Sequence, residues 1–150
     1  MTIEKYDILL IEDDANDIFL IKRAFRLANL NNAIYTAKDG DAAVQYLRGE
    51  NAYADRLQYP IPGLVILDLK LPKRSGLEVL AWMRQQPVIK RIPVVVLTSS
   101  NQHVDVDQAY EAGVNSYLVK PVAFDALISM VSAINDYWIR FNKYPSIEVA

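Results

Sequence analysis

Leu64-Val65-Ile66-Leu67-Asp68-Leu69-Lys70-Leu71-Pro72 is the stretch on which the fold turns. Four aliphatic residues in a row leave no polar face, so they read as a strand covered on both sides, and the run ends abruptly in a carboxylate. The same shape recurs on either side of it. Upstream, Ile8-Leu9-Leu10-Ile11 ends in Glu12-Asp13-Asp14; downstream, Val94-Val95-Val96-Leu97 follows Pro93 and ends in Thr98-Ser99-Ser100. Ala33 to Ala37 reads as a further strand, and Ser116 to Val119 as a short last one leading to Lys120-Pro121.

Between these runs the period changes. From Asp17, the apolar residues Ile18, Ile21, Ala24, Phe25 and Ala28 recur at three and four, the spacing of a helix with one buried face. Asp39-Gly40-Asp41 makes a turn and helix start before Ala42 to Leu47, and Leu77, Leu80, Ala81 and Met83 give a helix beginning near Ser75. Val104 to Ala112 is a weaker helix, and a long final helix runs from Ala123. Five successive βα units predict an α/β fold with a doubly wound, five-stranded parallel sheet, helices on both faces; the chain is too short for an eight-unit barrel.

Bulk properties narrow the function. The 150 residues suit one domain, 1–150, and 52% hydrophobic content supplies a real core. A net charge of −2 argues against a broad basic surface for nucleic acid. There is no cysteine, and the single histidine, His103, builds no multi-histidine metal site and receives no role. No stretch approaches the roughly 20 apolar residues of a membrane helix. With no signal-peptide pattern at the N-terminus, the expectation is a cytoplasmic protein.

In an open parallel sheet, ligands bind outside the carboxyl ends of the strands. Those ends carry Glu12, Asp13 and Asp14, then Asp68, Thr98 and Lys120. Crowded carboxylates repel, and a hard cation relieves them; oxygen ligands with open positions suit Mg2+, with Mn2+ as a substitute. A carboxylate beside such an ion is a nucleophile toward phosphorus, and the cation, an ammonium and a hydroxyl can share the three phosphoryl oxygens. Asp14, just ahead of a helix, reads as its N-cap rather than as a third ligand.

These residues together resemble the receiver domain of two-component response regulators. The acidic pair is Glu12-Asp13, the acceptor is Asp68 before Leu71-Pro72 with Gly76 eight positions on, the hydroxyl is Thr98, and Lys120 precedes Pro121. The resemblance covers about the first 135 residues and implies a flavodoxin-like strand order of 2-1-3-4-5. It implies that Asp13 and Asp68 ligate the ion directly, Glu12 through a coordinated water, and Lys70 through its backbone carbonyl. Asp68 would accept the phosphoryl group, Lys120 and Thr98 would hold it, and Tyr117 would turn inward as Thr98 shifts. A cis peptide before Pro121 is also implied. The Lys70 side chain is placed over the site mouth as a control on attacking water. The chain would then act as a phosphoacceptor with weak self-phosphorylation and autodephosphorylation rather than as an enzyme.

Two segments depart from a minimal receiver. Residues 49–63 are long for an αβ connection and predict an ordered surface excursion held by tyrosine or leucine anchors, Tyr53, Leu57 and Tyr59. In the tail, about residues 134–150, Ile134, Tyr137, Trp138 and Phe141 form an aromatic stripe that either packs on its own chain or makes a homodimer face. No DNA-binding or enzymatic output segment is seen in the 150 residues. Together with the excursion and the Trp-containing tail, this resembles the small regulators paired with cyanobacterial-type phytochrome kinases, which implies a sensor histidine kinase as donor. The rival readings are a constitutive protein-binding module and a Mg2+-dependent phosphohydrolase. Against the latter, Lys70 stands where such enzymes usually carry a second aspartate. A flavodoxin-like electron carrier shares the architecture, but no phosphate-cradling loop follows the first strand.

Overall fold

The five expected strands form as β1 (Ile8–Ile11), β2 (Ile34–Ala37), β3 (Leu64–Leu67), β4 (Val94–Thr98) and β5 (Ser116–Val119) in the computed structural model, which describes residues 6–147. Residues 1–5 and 148–150 of the expected domain lie outside the described residues. The strands pair in parallel in the order β2-β1-β3-β4-β5, as the resemblance implied. Alternate side chains go to opposite faces of a sheet, and the core divides accordingly. Leu9, Ile11, Val65, Leu67, Val94 and Val96 build one apolar cluster; Ile8, Leu10, Leu64, Ile66, Val95 and Leu97 build the other.

The helices α1 (Ala15–Leu27), α2 (Gly40–Arg48), α3 (Gly76–Met83), α4 (His103–Glu111) and α5 (Phe124–Ile134) cover these two faces. α1 and α5 supply Ile21, Ala24, Phe25, Leu127 and Val131 to the second cluster, while α2, α3 and α4 supply Ala43, Leu47, Val79, Leu80 and Ala109 to the first. Three helix starts are fixed by side chains accepting from orphan backbone N–H groups: Asp14 from Asp17 at 2.9 Å, Asp39 from Ala42 at 2.7 Å and Ser75 from Glu78 at 3.2 Å. Asp14 is thus the N-cap the sequence predicts. α4 begins after Gln102 without such a bond, in keeping with its weak sequence signal.

The 49–63 excursion is ordered, and two of its three expected anchors, Tyr53 and Tyr59, hold it while Leu57 does not. Tyr53 and Tyr59 meet the fully buried Tyr46 with ring centroids 5.1 and 5.9 Å away, and the Tyr46 hydroxyl donates to the Pro60 carbonyl at 3.0 Å. Leu57 is 97% exposed and anchors nothing. Arg56 takes its place: its guanidinium donates to the carbonyls of Tyr46, Leu47 and Tyr59 at 2.8, 2.7 and 3.2 Å. The first two are carbonyls of the last turn of α2, where the helical ladder runs out; the Tyr46 carbonyl also takes the Gly49 N–H at 3.1 Å, and a planar five-donor group reaches all three oxygens as an aliphatic side chain cannot. Gly49 ends α2 at φ +69°, the left-handed conformation that favours glycine.

The tail also departs from a continuous α-helix. After Ile134 the winding widens to a π-helical segment, Asn135–Phe141. A wider turn breaks the three-and-four stripe: Trp138 and Ile139 pack against the second cluster, whereas Tyr137 and Phe141 stay 61% and 71% exposed. The chain then crosses the end of the sheet where the strands begin. Tyr144 stacks on Tyr6 at 3.7 Å, the Arg91 guanidinium donates to the Ser146 carbonyl at 3.1 Å, and Ile147 packs against the first cluster. The implied cis peptide is absent: the Lys120–Pro121 bond is trans, the isomer X–Pro bonds favour by about 0.5–1 kcal/mol.

Candidate functional site

Parallel register brings the site together. Ile11 lies opposite Leu67, so the next residues, Glu12 and Asp68, leave their strands side by side; Asp68 N–H donates to the Ile11 carbonyl at 3.0 Å. Thr98 lies opposite Val119, and the Lys120 N–H donates to the Thr98 carbonyl at 2.7 Å. Four chain segments scattered from position 12 to 120 thereby meet at one rim. Gly76 is needed here because a Cβ at that position would lie 2.3 Å from the Asp68 carbonyl oxygen.

Each candidate side chain has a definite partner. The Asp68 carboxylate, 8% exposed, accepts from Thr98 Oγ1 at 2.8 Å and the Lys70 N–H at 3.3 Å through Oδ1, and from Lys120 Nζ at 3.1 Å through Oδ2. Glu12, 1% exposed, accepts from the Asp13 and Asp14 N–H groups at 3.0 and 3.2 Å and holds Lys120 by a short ion pair. Asp13 is exposed at the mouth. Tyr117 donates its hydroxyl to the Ser100 carbonyl at 2.8 Å, and Ser100 Oγ binds Asp105 on α4. The loop that leaves Thr98 is therefore tied to both β5 and α4. His103 is the exposed first residue of α4.

The electrostatics follow from burial and charge sharing. Burial pushes Glu12 up to about 7, against the Lys120 bond, and the Asp68 charge pushes the same way. Burial alone would raise Asp68 too, but the Thr98 hydrogen bond and the Lys120 ammonium outweigh it and hold the carboxyl below its ordinary range. The two carboxyls are thus pushed in opposite directions, Glu12 up and Asp68 down. Burial works against the Lys120 charge, yet the bonds to Asp17 and Glu12 and the charge of Asp68 carry its pKa upward. Glu12, Asp13 and Asp68 place carboxylate oxygens within 4.8 Å of one another, a hard, all-oxygen set that fits a divalent cation.

One member of the site went unseen in the sequence. Asp17, in the first turn of α1, accepts from Lys120 Nζ at 2.8 Å. Its only signal is one further carboxylate three residues past Glu12-Asp13-Asp14, and a first-turn acid is already explained by the helix dipole.

Comparison with known proteins gives a consistent picture. The family model described as response regulator receiver domain matches residues 8–132. Response regulator Rcp1 of Synechocystis sp. (strain ATCC 27184 / PCC 6803 / Kazusa) is 39% identical, covering 93% of this chain and 92% of Rcp1. Its solved Mn(2+)-bound form superposes with a TM-score of 0.83 at 38% identity over 94% of this chain and 99% of that one. The phosphorylated cyanobacterial phytochrome response regulator RcpA gives a TM-score of 0.87 at 38% identity, covering 95% of this chain and 99% of RcpA. A probable methanogenesis regulatory protein, FilR2 of Methanothrix harundinacea (strain 6Ac), is 40% identical over 95% of this chain and 89% of its own.

Proposed function

Since the chain belongs to the response regulator receiver family, we propose that Asp68 accepts a phosphoryl group from the phosphohistidine of a sensor histidine kinase. The observation that carries this reading is that Asp68, buried at the rim, already has a hydroxyl and an ammonium on its oxygens. An Asp68 oxygen bonds to phosphorus, the P–N bond breaks, and the imidazole keeps that electron pair and takes up a proton. Lys120 and Thr98 hold the oxygens of the product, whose negative charge now lies farther from the Asp68 backbone. Hydrolysis of the acyl phosphate resets the site, which makes self-phosphorylation and autodephosphorylation side activities of a phosphoacceptor.

Glu12, Asp13 and Asp68, with the Lys70 backbone carbonyl, hold Mg2+ or Mn2+ in this reading, and Rcp1 is known in a Mn(2+)-bound form. The bound cation supplies positive charge against the phosphoryl oxygens and the crowded carboxylates. Thr98 exchanges Asp68 for a phosphoryl oxygen, and the Tyr117–Ser100 bond relays that shift to α4 as a two-state change. The exposed Lys70 side chain tunes water access; substituting it and finding an unchanged dephosphorylation rate removes that role.

The same reading makes residues 1–150 one receiver domain with an aromatic tail, at work in the cytoplasm. Among the described residues no helix is long and apolar enough to cross a membrane. The donor is a phytochrome-type kinase, supported by the likeness to RcpA, and Tyr137 and Phe141 form a two-fold homodimer face. Light scattering tests the dimer: Tyr137→Ala with Phe141→Ala yields monomers, and an unchanged mass removes it. Intact mass after incubation with Mg2+ and acetyl phosphate tests the acceptor. A single phosphoryl adduct is expected on the parent and none on Asp68→Asn; an adduct on both overturns the assignment of Asp68.

A further inference from the structure

We propose that Asp17 is a positioning residue for Lys120, sharing the ammonium in the resting site and so setting how tightly that site takes a phosphoryl group. The proposal rests on Asp68 being the acceptor. An ammonium has three donors. Here Glu12, Asp17 at 2.8 Å and Asp68 at 3.1 Å take all of them, on a lysine side chain only 15% exposed. When Asp68 is phosphorylated, one of its oxygens becomes an ester oxygen and the charge moves outward onto the phosphoryl group. To follow it with more than one donor, Lys120 must release Glu12 or Asp17.

The two differ in how firmly they are held. Glu12 is buried, carries two backbone N–H bonds and belongs to the carboxylate trio that suits a cation. Asp17 lies outside that trio, and its side chain is 34% exposed, so water replaces the lysine there at small cost. Asp17 is therefore the partner the lysine gives up. Until it does, a carboxylate at 2.8 Å withholds part of the ammonium's charge from Asp68. The backbone of Asp17 is held separately, by its N–H on Asp14 Oδ1 at 2.9 Å, so a side-chain substitution leaves the helix cap in place.

The test uses the full chain and beryllofluoride, a tetrahedral phosphoryl mimic that takes a carboxylate oxygen as its fourth ligand. Its affinity is read by 19F NMR at saturating magnesium. Asp17→Asn is expected to bind it about two- to fivefold more tightly than the parent, the size of one partly exposed ion pair. Asp17→Glu should return to the parent value, and Asp17→Ser should follow Asp17→Asn. Raising the salt concentration should narrow the gap between parent and Asp17→Asn, because a charge effect is screened. Equal or weaker binding by both Asp17→Asn and Asp17→Ser overturns the role of Asp17 while leaving the acceptor standing. A parent that fails to bind beryllofluoride overturns the acceptor reading and this inference with it.

Discussion

The two ends of the sheet are built on opposite principles. At the carboxyl ends of the strands, Glu12, Asp17 and Asp68 crowd around one ammonium, and an exposed Asp13 adds further negative charge. At the other end, Tyr35, Tyr46, Tyr53 and Tyr59 pack edge to face under the 49–63 excursion, and Tyr144 stacks on Tyr6 beside Gly63. The first rim is satisfied electrostatically and holds charge in reserve for a ligand. The second is held by packed rings and by hydrogen bonds to backbone carbonyls. Chemistry and stability are thus assigned to different ends of the same strands, as the register of a parallel sheet allows.

The largest expected effect breaks the aromatic end alone. Tyr46 is fully buried, touches three other tyrosines and donates to Pro60. Tyr46→Ala is expected to cost about 3–5 kcal/mol, the usual range for emptying an aromatic core position. Urea unfolding measures it. The chain that remains folded should still take a phosphoryl group from acetyl phosphate, and loss of that ability without loss of stability would show the two ends to be coupled.

The next effect belongs to the charged end. A cation that binds the folded chain alone stabilises it by about 2.7 kcal/mol at a hundred times its dissociation constant. Thermal melting with and without Mg2+ should show that gain in the parent and lose most of it in Asp13→Asn. Asp13 is exposed, so its substitution leaves packing intact and isolates the ligand's contribution. A full Mg2+ effect in Asp13→Asn would remove Asp13 from the ligand set.

The charged end was largely legible in the sequence and the aromatic end was not, for a physical reason. Glu12, Asp68 and Thr98 each stand directly after an aliphatic run and Lys120 after a short strand and before a proline, so strand ends advertise them, and parallel pairing does the rest. Asp17 escaped because it lies on a helix, where a first-turn acid needs no ligand to explain it. Residues 6, 35, 46, 53, 59 and 144 share no period, and only the folded chain gathers them. The sequence predicts an ordered excursion, yet hydrophobicity alone offers Leu57 as an anchor, and it is 97% exposed. The residue that binds is Arg56, a charged side chain whose partners are backbone carbonyls that no motif marks. The aromatic stripe of the tail failed in a related way, since a three-and-four spacing predicts one face only while the winding stays α.

Arg56 sharpens the comparison because it is a cation at the end where charge has no ligand to meet. Its three acceptors are carbonyls, and removing hydrogen bonds from a charged donor leaves those oxygens to find water. Arg56→Met keeps most of the stem and should cost about 2 kcal/mol in urea unfolding, with the phosphorylation rate unchanged. A loss near zero would mean that solvent already serves the last turn of α2 and that the tyrosines alone hold the excursion.

The smallest effect has the opposite sign. The Tyr144 hydroxyl oxygen is out of reach of solvent and has no hydrogen-bond partner among the described residues, while its ring stacks on Tyr6 at 3.7 Å. Burial raises its pKa, so the hydroxyl stays neutral and buries no charge. Leaving a neutral polar group buried and unpaired costs on the order of 1 kcal/mol, and phenylalanine keeps the ring without the oxygen. Tyr144→Phe should therefore raise the urea midpoint by an amount equivalent to about 1 kcal/mol at unchanged slope. At the charged end, stripping a polar atom from Thr98 or Lys120 must do the reverse, because each of those atoms has a partner that would be left buried with it. A lower midpoint for Tyr144→Phe would show that the hydroxyl is paired in solution, and the division between a charged end and an aromatic one would then be narrower than the structure draws it.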